Sequence, residues 1–145
     1  MALRLGGMGV PRNCDKMGSQ DQILKGLQAW AGQFYGADAT VERLVRLSGG
    51  ASQETWSLDV EQGGKVVDLI LRRVPGGVSV ARNSEAIGLG TEAKLLSCAE
   101  GEVPAPKVVQ VFEPDSDIGE AFLMNRIPGQ TIARKILRDD IYSAA

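Results

Sequence analysis

At 145 residues, with 16 basic against 18 acidic side chains and no histidine, the chain has room for one domain around a modest core. A net charge of −2 argues against nucleic acid as a partner, because gripping a phosphate backbone needs a cationic surface. No apolar run approaches the length of a bilayer span, so no membrane partner is expected. Cys14 and Cys98 form no motif, which fits a reducing, cytoplasmic setting without a disulfide.

Residues 1–18 are rich in Gly and Met and show no apolar period. They read as a disordered tail or a mis-assigned start, with Met17 as the alternative first residue. They hold no continuous apolar stretch of the kind a signal peptide needs. Ser19 and Gln22 then form a capping box. Ile23, Leu24, Leu27, Trp30, Ala31 and Phe34 recur at helical spacing, and Gly36 ends that helix.

Thr40 to Leu47 has strand character and leads into Ser48-Gly49-Gly50-Ala51-Ser52-Gln53-Glu54-Thr55-Trp56. Gly49 and Gly50 admit positive φ and carry no Cβ to hinder a ligand. The backbone N–H groups of such a loop, Ala51 and Ser52 included, can converge on a phosphate. An ordinary hairpin turn accounts for the same residues equally well. Trp56, Leu58 and Val60 alternate with Thr55, Ser57 and Asp59, the period of a strand.

Gly63-Gly64 is a two-residue hairpin signal, and Lys65 to Val74 beyond it is a third strand ending in Arg72-Arg73. Thr91 to Ala99 is helical in pattern, with Glu92 at its start. Pro104 and Pro106 stop any helix there. Two more strand-like runs follow, Lys107 to Phe112 and Ala121 to Ile127, around a turn at Pro114-Asp115-Ser116-Asp117. Pro128-Gly129 breaks the last strand, and Arg134 to Asp140 reads as the solvated side of a helix.

Five segments carry a resemblance: LSGGASQETW, LILRRVPGG, TEAKLL, VPAPKVV and FLMNRIPGQTI, together spanning roughly residues 41–132. In this order they resemble the N-terminal lobe of the aminoglycoside phosphotransferase and choline kinase-like family. Within it they resemble the branch associated with acyl-CoA dehydrogenases. The resemblance implies an α+β fold, a protein kinase-like N-terminal lobe with a five-stranded antiparallel sheet and a packed helix. Strands are then expected near 41–48, 54–61, 65–74, 107–113 and 120–127, with helices near 19–35 and 85–100. The lobe would occupy 19–127, and 128–145 would be the connector and the start of a second lobe.

The same resemblance implies ATP as the nucleotide. Gly49, Gly50, Ala51 and Ser52 would cradle its phosphates. Arg72 would take the place of the kinase strand lysine, with Glu92 as the helix carboxylate that holds it. Strand alternation lets only one of Arg72 and Arg73 face the cleft, and the family register selects Arg72. Met124 would lie near the base, and Asn125, Arg126 and Ile127 would offer it backbone groups. Val45 or Leu47 on one strand, and Leu69 or Ile70 on another, would cover it. The family's loop commonly reads Gly-Gly-x-Ser-Asn, and here Gln53 stands in the Asn position.

In the family, catalysis lies in a mostly helical C-terminal lobe with a His-Gly-Asp stretch and a later Asp for magnesium. These 145 residues contain no histidine, so the expectation is a partial phosphotransferase with the nucleotide half of the site. Magnesium would belong to the complete enzyme, as would an unidentified small hydroxyl acceptor. The alternative is a non-catalytic nucleotide-binding or regulatory module. The face awaiting a second lobe, with Met124, Ile127, Ile132 and Ile136, is expected to favour self-association.

Overall fold

A computed structural model describes residues 14–47, 53–77, 87–129 and 138. Its elements run α1 (Cys14–Phe34), β1 (Thr40–Arg46), β2 (Glu54–Gln62), β3 (Lys65–Arg73), α2 (Leu89–Ala99), β4 (Val108–Phe112) and β5 (Ala121–Asn125). The strands form one sheet in the order β1-β2-β3-β5-β4, and every neighbouring pair is antiparallel. This is the α+β, five-stranded lobe expected from the sequence. Among the described residues, no helix is long and apolar enough to cross a membrane.

The β2–β3 hairpin sets the register of the sheet. Gly63 (φ 56) and Gly64 (φ 80) both take the left-handed conformation that a tight two-residue turn needs. The Gly64 N–H donates to Glu61 Oε1 at 2.6 Å and closes the turn. From Gln62↔Lys65 the pairing runs without a bulge to Glu54↔Arg73. Trp56, Leu58, Val60, Leu69 and Leu71 therefore share one face, joined there by Ala121 and Leu123 of β5.

That face is covered by α1. Ile23, Leu27 and Ala31, four residues apart, are fully buried against it, and Trp30 meets Phe112 edge-on at 6.2 Å. Gln28 ties helix to sheet by donating to the Ala39 carbonyl (2.7 Å) and accepting from the Val41 N–H (2.9 Å). The other face carries a smaller cluster of Val74, Leu89, Ala93 and Phe122, edged by Leu96, Val108 and Met124. Leu89, Ala93 and Leu96 are one side of α2. Among the described residues, helix α2 packs on this face over β5 and β4.

Two helix starts differ from the sequence expectation. Helix α1 starts at Cys14, so Ser19 lies inside it rather than at its N-cap, and residues 14–18 are helical rather than tail. Gly18 weakens such a run by about 1 kcal/mol without ending it. Helix α2 begins at Leu89 after an extended Gly88, later than the expected 85.

Candidate functional site

The open face of the sheet, opposite α1 and covered among the described residues by α2 only toward β4 and β5, is built in rows. In the first, Thr55, Arg72 and Phe122 lie opposite one another on β2, β3 and β5. Two residues along each strand come Val45, Ser57, Ile70 and Met124. The third row holds Asp59 and Asp68, with Arg126 beside them through its N–H to the Asp68 carbonyl at 3.0 Å. Rows in a strand pair are roughly 7 Å apart, at about 3.4 Å per residue.

Arg72 meets Glu92 in the first row. Arg72 Nη1 lies 2.9 Å from Glu92 Oε1, with both side chains about one-third exposed. The helix presents Glu92 there because Leu89 and Ala93, on either side of it in the same helical surface, are buried against the sheet. Its carboxylate also sits in the first turn of α2, where the helix dipole favours negative charge. Arg72 Nε is buried and has no hydrogen-bond partner among the described residues. Only one of its terminal nitrogens is committed to Glu92.

Arg73 points the opposite way, as strand alternation requires. It is 5% exposed, donates from Nε to the Ile118 carbonyl at 2.6 Å, and pairs through Nη1 with Glu54 Oε2 at 2.9 Å. Glu54 also faces Arg46 at 3.6 Å. Two adjacent arginines are thus divided between a buried structural pin on the α1 side and a half-buried side chain paired with Glu92 on the other. The pin fits closely: a Cβ on Gly77 would lie 2.5 Å from Arg73 Nη2, and Gly77 in turn abuts Gly119.

The connector is more committed than the sequence suggests. Asn125 exchanges hydrogen bonds with Lys107: its N–H donates to the Lys107 carbonyl at 3.0 Å, and its side-chain oxygen accepts the Lys107 N–H. The Arg126 N–H is taken by Asp68. Ile127, 53% exposed, is the first connector residue whose N–H has no partner among the described residues. Met124 is half-buried beside Ile70. Ile70 and Val45 lie on the open face, whereas Leu69 is in the core under α1.

Gly49, Gly50, Ala51 and Ser52 lie outside the described residues, as do Ile132 and Ile136. Gln53, at the loop's end, is half-buried with Oε1 unpartnered among the described residues. Sequence reasoning passed over Glu54, Asp59 and Asp68. The Gly-Gly hairpin held the signal for all three, because its register places Asp59 opposite Asp68 and Glu54 opposite Arg73. Like charges directly opposite each other are unfavourable, so the aspartate pair calls for a cation over it.

No curated protein and no solved structure matches the chain. A family model, the phosphotransferase enzyme family, matches residues 43–145, from within β1 onward and well over half of the chain. The open face with its strand arginine and helix glutamate falls wholly inside that match. On this ground the chain belongs to the phosphotransferase enzyme family, in keeping with the aminoglycoside phosphotransferase resemblance of its motifs.

Proposed function

We propose that this lobe binds ATP as the nucleotide half of a small-molecule phosphotransferase of the acyl-CoA dehydrogenase-associated branch. The observation that carries the reading is the Arg72–Glu92 pair at 2.9 Å on the α2 face of the sheet. Phosphoryl transfer asks the protein mainly for positioning and neutralisation of phosphate charge. A guanidinium suits this, because its planar fork can hold a carboxylate with one edge and a phosphate with another. Glu92 aims Arg72 by holding Nη1, and the rest of the guanidinium takes the phosphates.

The second row supplies an apolar bed for the base in Val45, Ile70 and Met124, and Ile127 supplies a backbone donor at its edge. The phosphate role expected of Gly49 to Ser52 rests on the motif alone, because these residues lie outside the described ones. Among the described residues, no group of three or more His, Cys, Asp or Glu is arranged to hold a metal. Magnesium is therefore not assigned to any side chain here, and no step is routed through it.

The test is incubation of the purified 145-residue polypeptide with labelled ATP, magnesium and a panel of small hydroxyl compounds. Weak, saturable nucleotide binding without sustained phosphate transfer is expected. A proton acceptor beside the reacting hydroxyl is required, and no His-Gly-Asp stretch is present in these residues. Turnover by this polypeptide, or failure to bind ATP at any concentration, contradicts the reading.

A further inference from the structure

The third row of the open face is a charge cluster that phosphate binding does not use. Arg126 Nη1 donates to Ser57 Oγ at 2.8 Å and to Asp59 Oδ1 at 3.1 Å. Its Nη2 lies 2.6 Å from Asp68 Oδ1. One guanidinium thus reaches from the end of β5 across β3 to β2. Ser57 beneath it is buried.

We propose that the Arg126 side chain, held by Ser57, Asp59 and Asp68, forms the outer wall of the base subsite and positions a purine ring there. The inference rests on the nucleotide reading above and deepens it. Three observations lead to it. Arg126 is on the same face as Arg72 but four residues further along β3, roughly 13–14 Å away at about 3.4 Å per residue. An arginine so placed acts on the end of the ligand remote from the phosphates.

The guanidinium is also fixed in place. Asp59 and Asp68 oppose each other across the hairpin and need a cation between them, and three acceptors on two strands hold it there. A planar cation already immobilised offers its face to a heteroaromatic ring without a fresh ordering cost. Finally, Arg126 is clamped by both side chain and N–H, so the next residue, Ile127, leaves the sheet from a fixed point. The same clamp therefore sets where the Ile127 N–H meets the base edge.

The test compares two ligands with and without a base: magnesium-ATP and magnesium tripolyphosphate, titrated into the parent chain, Arg72→Ala, Arg126→Ala and Arg126→Lys. Arg126→Ala is expected to weaken ATP by at least about tenfold, the scale of one desolvated stacked cation, and to leave tripolyphosphate within about twofold. Arg126→Lys keeps the charge over the two aspartates but not the planar fork, so it should fold and fall between parent and alanine for ATP alone. If Arg126→Ala fails to fold, the lysine variant decides on the same criterion. Unchanged ATP affinity in the Arg126 variants, or equal loss for both ligands, overturns the inference. With ATP binding intact and lost in Arg72→Ala, that result leaves the nucleotide reading standing. Absence of ATP binding by the parent refutes the nucleotide reading and this inference together.

Discussion

Replacing Arg73 by methionine should destabilise the lobe by about 3 kcal/mol or more, read as a lowered urea midpoint at unchanged slope. The side chain is 5% exposed and holds both Glu54 and the Ile118 carbonyl. Removing one partner of a buried pair leaves the other desolvated and unmatched, at a cost of about 3–5 kcal/mol. Arg46 remains 3.6 Å from Glu54 and is half exposed, so it softens the loss and places it near the lower end. The double variant Arg73→Met with Glu54→Leu should recover much of the loss, because neither group is then left buried without its partner. A single Arg73→Met variant within about 0.5 kcal/mol of the parent would show that the pin is not what holds this end of β3.

Arg72→Ala should behave in the opposite way. Its pair with Glu92 is about one-third exposed on both sides, and such pairs contribute about 0–1 kcal/mol, so the melting temperature should barely move. Nucleotide affinity should fall about 10- to 100-fold, the range of a charge-assisted hydrogen bond worth about 1.5–3 kcal/mol. Two neighbouring arginines would then separate cleanly, one governing stability and the other binding. Equal ATP affinity in parent and Arg72→Ala would remove Arg72 from the site.

Much of this arrangement was legible in the chain, and the reasons are local. The alternation of Trp56, Leu58 and Val60, the Gly63-Gly64 turn and the apolar run before Arg72 determine β2 and β3, and the strands lie where those signals put them. The choice of Arg72 over Arg73 for the phosphate side followed from family register; in the structure Arg72 pairs with Glu92 and Arg73 with Glu54. The start of α1 was hidden because Gly18 and the glycines before it mask a helical run that tertiary packing of its later turns supports.

Leu69 and Ile70 are equivalent as a sequence pair, and only the sheet's covered side distinguishes them. The roles of Glu54, Asp59 and Asp68 needed one further step. Counting outward from the hairpin gives their cross-strand partners, and the charges of those partners then call for Arg73 on one face and Arg126 on the other. What no count from the hairpin reveals is that Asn125 and Arg126 spend their N–H groups inside the sheet. That depends on how β4 and β5 meet, through a turn whose geometry rests on Gly77 against Gly119.

Nucleotide is expected on the sheet face shared by Arg72, Ile70 and Met124. Titration of magnesium-ATP into the labelled chain, followed by NMR of methyl and arginine side-chain signals, tests it most directly. Saturable shifts are predicted for the methyls of Val45, Ile70 and Met124 and for the Arg72 Nε–H. The methyls of Ile23 and Leu27, behind the sheet under α1, should stay in place. Shifts confined to the α1 side, or none at saturating nucleotide, would contradict the claim.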